Sequence, residues 1–396
     1  MNIGITIGIQ QEYESMWING IKLNAILLAN TLMQIGKHNV YLVDTSNKID
    51  DLTKVSWDYN KFPVRSFKDA FTDTDLMITL GTSFPTETIE RFKAQGPNRK
   101  LIKYMCGNSY VIEMERSIFK TGDDLGIAPW DPGADQIWYV PQQGYQNDHY
   151  YKTIFRTNEV FPVPFVWDPM FMVKELAIYK QANRKLPIYT PNIEQSKKRI
   201  SVFEPNMNVV KYSMIPILAA EQVYRRGVEF DKMYIASGKD LLKNSYFKSM
   251  ITTLDVVKNN ISSPKLQFTS RYPVCHYLAE TTEIVLSHQW ENPLNYSYLD
   301  VMFMGYPLIH NADMIQDGGY YYPDFNIEKA ADQLEWVLKN HDDNREEHAA
   351  KNKKVIERYT IKNEAMVDTY DKLIENLYGG KHEMSREYDW KTNLYK

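Results

Sequence analysis

The sequence predicts an α/β fold of two doubly wound domains. Three observations carry this expectation. Short apolar runs recur, each followed by a polar loop and then a stretch with helical spacing, as parallel strands buried on both faces require. The length of 396 residues allows two hydrophobic cores. The pattern starts twice, at Asn2 and again at Ile200, with a charged stretch between.

Asn2 to Ile9 reads as the first strand. Ile21, Ala25, Leu28, Leu32 and Ile35 then fall on one helical face that Gly36 closes. Val40–Val43, Asp75–Leu80, Lys100–Tyr104 and Gln136–Val140 are further strands, and Pro85 opens a helix to about Phe92. The prolines between Phe161 and Pro169 exclude a central strand, so this stretch reads as the crossover between domains. In the second half, Ile200–Phe203, Lys232–Ala236, Lys265–Phe268, Ile284–Leu286 and Pro307–Ile309 are strands. Asn326 caps a helix, charged helices run from about Asp342 to Leu377, and Gly379-Gly380 ends them. The expected division is a first domain over 1–170, an irregular connector over 171–199 with a solvated Lys197-Lys198-Arg199, and a second domain over 200–380. A final segment over 381–396 is drawn as packing back on the first domain.

Composition is that of a soluble globular protein, 43% hydrophobic and 24% charged, with a formal net charge of −4. Nothing global favours nucleic acid or an acidic membrane surface. Two distant cysteines form no CxxC, the start lacks a basic signal region, and no apolar run reaches membrane-spanning length. The expected location is cytoplasmic, or the host cytoplasm if the chain is phage-encoded. There is no GxGxxG, P-loop, HExxH or GxSxG. No metal and no resident cofactor are expected.

The densest chemistry lies in Ile284–Asn311, which reads as strand, loop, helix, strand. His288, Glu291, Asn292 and Asn295 follow the strand at once, where open α/β sheets bind ligands and helix N-termini favour anions. Parallel strands bring three more loops to the same edge. These add Glu204, Asn206, Ser237, Gly238 and Arg271, with Arg271 suited to a diphosphate and Gly238 to close backbone approach. Each residue taken singly is more often structural, so only the convergence favours a ligand. In the first domain, Glu14 is a candidate base towards an acceptor hydroxyl, with capping of the next helix as its structural alternative. His149 and Asp148 are rivals.

The segments IGITIG…ES.W.NGI, FEPNMNVVKYSMIPIL and HQWENPLNYSYLD…GYPLIHN resemble a little-characterised glycosyltransferase family of bacteria and tailed phages. The resemblance implies a GT-B fold, two Rossmann-like domains facing across a cleft, with a nucleotide-sugar, UDP-linked, as donor on the second domain. It places Asp300 on the nucleotide ribose. The partner carboxylate expected eight residues earlier is Asn292, with Glu291 one place off. Among phage members the chain is similar to enzymes that glucosylate or arabinosylate 5-hydroxymethylcytosine, so double-stranded DNA carrying that base is an expected partner. Catalytic candidates are then Glu14, Glu291 and His149. Acceptor candidates are Lys93, Arg99, Lys100 and Lys103 for phosphates and Trp17 and Tyr150 for an extruded base. Against this, residues 1–170 hold more acidic than basic side chains. A surface-polysaccharide or small-molecule transferase and a non-catalytic nucleotide-sugar- or DNA-binding module are the competing expectations.

Overall fold

The computed structural model describes residues 1–16, 20–119, 132–385 and 387–396. The chain divides into two compact units, Met1–Asp168 with Arg358–Lys396, and Pro169–Glu357.

The first unit runs β1 (Asn2–Ile7), α1 (Gly20–Gln34), β2 (Asn39–Asp44), β3 (Val64–Ser66), α2 (Phe67–Asp73), β4 (Leu76–Leu80), α3 (Thr86–Lys93), β5 (Lys100–Met105), α4 (Ser109–Phe119), β6 (Gln136–Tyr139), α5 (Gly144–Ile154) and β7 (Val160–Pro162). Its strands form one parallel sheet in the order β3-β2-β1-β4-β5-β6-β7. Isoleucines of β1 alternate with Gly4 and Thr6, and the strand is buried from Gly4 to Thr6 on both faces. A side chain at Gly4 would meet Val43 Cγ2 at 2.9 Å, so β1 and β2 need glycine there. The proline-bearing stretch supplies β7, but only at the sheet edge, where Pro162 costs no ladder bond.

The second unit runs α6 (Met170–Gln181), β8 (Ile200–Val202), α7 (Met214–Arg225), β9 (Met233–Ile235), α8 (Ser245–Ile251), α9 (Asp255–Lys258), β10 (Leu266–Phe268), α10 (Val274–Glu280), β11 (Ile284–Leu286), α11 (Tyr296–Phe303), β12 (Leu308–His310), β13 (Tyr320–Tyr321) and α12 (Ile327–Glu357). Its parallel sheet has the order β10-β9-β8-β11-β12-β13. Ile200, Val202, Ile284 and Leu286 of the central strands pack with Ile217 and Val223 of α7 and Leu334 and Leu338 of α12 in one core. Three-residue strands suffice because both faces are covered and burial stabilises them.

Three expectations need correction. The connector is not irregular, since α6 occupies its first eleven residues. Lys198 is not solvated: it is 3% exposed and its Nζ reaches Asp342 Oδ2 at 3.0 Å and Leu338 O at 3.2 Å. Residues 358–380 pack with the first unit, where α13 (Glu364–Leu377) lies against α1. Lys37 ties the two helices by ion pairs to Asp371 at 2.6 Å and Glu375 at 3.0 Å. The C-terminal hairpin of β14 (Tyr388–Asp389) and β15 (Leu394–Tyr395) also joins this unit. There the fully buried Asn393 accepts from Phe165 N at 2.8 Å and donates to Phe165 O at 2.9 Å.

Asn393→Ala strands both backbone groups of Phe165. The expected loss is about 2–4 kcal/mol in chemical denaturation, given that a buried unsatisfied group costs about 1–3 kcal/mol. A loss below about 0.5 kcal/mol would show that the hairpin does not anchor the unit.

A second prediction comes from buried histidines in the second unit. His341 Nδ1 meets Tyr320 OH at 2.7 Å, and the His348 ring stacks on Tyr320 at 4.8 Å. Burial pushes His341 and His310 down to about 4 and His348 to about 3. Below about pH 6.5 the unfolded chain protonates these rings while the folded chain does not. Stability is therefore full above that pH and falls as pH drops, by about 1.4 kcal/mol per histidine per pH unit. The melting temperature should decline steadily from about pH 6.5 to 5, and a flat profile over that window contradicts the assignment.

Candidate functional site

The carboxyl edge of the second sheet gathers the loops after β8, β9, β10, β11 and β12. At its centre is Glu204, two residues past β8 and 1% exposed. Ser287, which follows β11, donates its hydroxyl to Glu204 Oε1, and the His288 backbone N–H donates to the same oxygen at 3.2 Å. Because Ser287 spends its proton on Glu204, the contact of 2.8 Å between Ser287 Oγ and Tyr298 OH has the tyrosine as donor. One relay thus links α11, β11 and β8. Glu204 Oε2 is buried without a partner. Burial pushes this carboxyl up to about 7, against the opposing pull of its hydrogen bonds and the charge of Lys211. A pocket opens here, lined by Glu204, Ser287, Gln289, Ser297 and Tyr298 over an apolar floor that includes Phe203.

His288 points its ring at Tyr322, with Nδ1 at 3.1 Å from the hydroxyl. Tyr322 OH donates to Ser287 O at 2.9 Å, so His288 Nδ1 carries the proton and Nε2 is a bare acceptor. That Nε2 is buried and unpartnered, under the edge of Phe325 at 4.6 Å. Burial holds the ring neutral, down to about 4. Gln289 and Asn311 exchange two bonds, N to Oδ1 at 2.9 Å and Nδ2 to O at 2.8 Å, and Asn292 donates to the Gln289 side chain. The loop is therefore rigid before any ligand arrives.

Cations stand at the same edge. Lys211 lies half-buried in the loop between β8 and α7. Burial lowers its pKa, Glu204 opposes that shift, and the exposed Arg271 adds to it. Two positive charges and a buried acid thus stand on loops of one sheet edge. An anion with two charges would relieve the repulsion between the cations.

Several expected contacts turn out to be structural. Asn206, at φ 54°, spends its whole amide on Glu204 O, Ala236 O, Ser213 N and Ser213 Oγ, at 2.9 to 3.1 Å. Asn295 caps α11 through Ser297 N at 3.3 Å. Gly238 is required by packing, since a Cβ would meet Phe268 at 2.8 Å. Ser237 sits beside it at φ 52°. Glu291, at φ 51°, and Asn292, 6% exposed, occupy the loop before α11. Asp300 is 4% exposed in mid-helix, and its charge reaches Cys275 of α10.

The first-unit candidates are less convergent. Glu14 is 7% exposed, ion-paired with Lys22 of α1, and accepts from Gln10 N at 2.8 Å, so its carboxylate shapes the β1–α1 loop. His149 is exposed on α5, and Asp148 is held by Lys152 at 2.6 Å. Tyr150 packs edge-on to Tyr110 at 5.7 Å. Trp17 lies outside the described residues. The sheet places three of the four basic acceptor candidates at the end opposite to the loops that follow the strands. Lys100 opens β5, and Lys93 ends α3, which runs back against the strands. Both pair with Asp135, just before β6, at 3.5 and 2.9 Å, and Arg99 pairs with Asp75, just before β4, at 3.7 Å. These residues sit at the amino ends of the strands. Lys103 is buried within β5, with Nζ 2.9 Å from Ser83 Oγ. Sequence reading missed Lys211, Ser287, Tyr298 and Tyr322; of these, only Ser287, directly after an apolar strand, carried a positional signal.

Among the described residues no cluster of histidine, cysteine or carboxylates is arranged to hold a metal, and no helix is long and apolar enough to cross a membrane.

No curated protein matches the chain in sequence. Solved structures match in fold. Anabaena HepE, in complex with UDP and glucose, superposes with a TM-score of 0.54 at 10% identity, over 95% of this chain and 100% of its own. An alpha-glucosyltransferase in complex with UDP and a 13-mer DNA containing an HMU base gives 0.57 at 13%, over 94% and 99%. The DNA-modifying beta-glucosyltransferase gives 0.50 at 14%, over 95% and 100%. The fold is therefore the GT-B arrangement of two Rossmann-like α/β domains. A family model described as "Protein of unknown function (DUF2827)" matches residues 3–374, and the chain belongs to that family.

Proposed function

We propose that the protein is a glycosyltransferase that draws its sugar from a UDP-linked donor bound at the carboxyl edge of the second sheet. The observation that carries this is the pocket between Glu204 and the first turn of α11, at the sheet edge where the loops bearing Lys211 and Arg271 also open. Lys211 and Arg271 suit a diphosphate and would stabilise the charge that develops on it as the sugar leaves. Asp300 is the proposed ribose contact, by family resemblance. The fold shared with UDP-containing structures supports the same reading. For the group that takes the acceptor's proton, Glu14, Glu291 and His149 remain the candidates. Glu14 would first have to leave Lys22, which weighs against it.

The proposed acceptor is 5-hydroxymethylcytosine in duplex DNA, with a glucosyl or arabinosyl group transferred. Support comes from the sequence resemblance and from two fold relatives whose descriptions name DNA. A second reading, transfer to a saccharide or small molecule, is favoured by one observation. Of the four basic residues expected to meet phosphates, Lys93, Arg99 and Lys100 are ion-paired at the amino ends of the strands and Lys103 is buried in β5.

Saturating UDP should raise the melting temperature, because a ligand bound only by the native state stabilises it. Lys211→Ala or Arg271→Ala should weaken UDP binding by roughly ten- to a hundredfold, the worth of a charge-assisted bond of about 1.5–3 kcal/mol. A protein that no nucleoside diphosphate stabilises does not use this donor.

Transfer of labelled sugar to hydroxymethylcytosine DNA, unmodified DNA and free monosaccharides separates the acceptors. The DNA reading expects product only on the modified duplex, with binding that falls steeply in salt. Preference for a monosaccharide selects the second reading.

A further inference from the structure

Glu204 is a buried acid whose surroundings change charge when the site fills. Its Oε1 is held by the Ser287 hydroxyl and the His288 N–H, and its Oε2 has no partner. The groups facing it are few. From β11 come Ser287 and a neutral His288, from α11 the Tyr298 hydroxyl, and from beyond β13 the Tyr322 hydroxyl. Neither tyrosine ionises near neutrality, since burial raises both well above the ordinary range. Among the described residues, the charge of Lys211 acts on Glu204, and that of Arg271 acts on Lys211 in turn.

Resting on the donor assignment above, we infer that Glu204 takes up a proton from solvent when a diphosphate binds, so that donor affinity is coupled to protonation of this one carboxyl. The reason is electrostatic. Before a diphosphate binds, the charge of Lys211 adds a minor pull towards the ionised form of Glu204. A diphosphate that engages Lys211 brings its own negative charge towards a buried carboxylate. The carboxylate then loses that minor pull and gains a like charge. Adding a proton to the unpartnered oxygen removes the repulsion and supplies a donor, O–H, that can face a ligand oxygen. The balance is at most one solvent proton consumed per donor bound, the full proton only above about pH 7 where the free carboxyl is ionised, and the same amount is released when the product nucleotide leaves. Burial already places this carboxyl near neutrality, so uptake requires only a modest further shift.

The probe is the methyl ester of UDP, a diphosphate diester with no group of its own that titrates near neutral pH. Calorimetry on the full chain, in two buffers of different ionisation heat, should show proton uptake on binding. Affinity should fall by up to about tenfold per pH unit above pH 7, the slope for one proton. Glu204→Gln, which imitates the protonated acid, should bind with near wild-type affinity at pH 6 and lose the pH dependence. Identical heats in the two buffers overturn the inference with wild-type protein alone, whether or not the variant folds. A Glu204→Gln variant with equal or steeper pH dependence also overturns it and assigns the titration to Lys211. Failure of the ester and of UDP to bind at any pH overturns the donor assignment itself.

Discussion

All strand pairs of the two large sheets are parallel, and this polarity decides which side chains can meet. Every loop that follows a strand opens on one edge, and every residue that precedes a strand lies on the other. In the second unit this brings Glu204, Lys211, Arg271 and His288 to one edge, though sixty or more residues separate some of them. In the first it sends Lys93, Arg99 and Lys100 to the edge where Asp75 and Asp135 neutralise them.

The sheet also sets the electrostatics. Three-residue strands covered by α7, α11 and α12 bury the end of β8, so the pKa of a carboxyl there is pushed up to about 7. The relay from Tyr298 through Ser287 fixes its orientation, and the paired amides of Gln289 and Asn311 fix the neighbouring loop. Two acceptor atoms, Glu204 Oε2 and His288 Nε2, are left buried and unpartnered in this rigid frame. Unpaired buried polar atoms cost stability, and sites that bind ligands retain them because a ligand can supply the missing bond. The same frame explains why Asn206, Asn295 and Gly238 serve the scaffold. Their positions at strand and helix ends demand a left-handed backbone, a cap and a side-chain-free contact.

What the sequence by itself determined was the strand and helix rhythm, hence the two α/β units and the four loops that share an edge in the second. Those features depend on local apolar spacing, which a single chain displays directly. The helical connector, the C-terminal hairpin and α5 were illegible. The helix α6 has no clean amphipathic stripe, β14 and β15 are two residues each, and α5 is rich in tyrosine and amides. The tertiary structure alone decided which polar residues are spent on the scaffold and which stay unpartnered. Glu14 is held by Lys22, eight residues on, while Glu204 faces a serine more than eighty residues later in the chain and has no ion-pair partner within bonding distance among the described residues. Residue type is the same in both. Desolvation and the identity of the nearest charge differ, and both are properties of packing that sequence spacing does not encode.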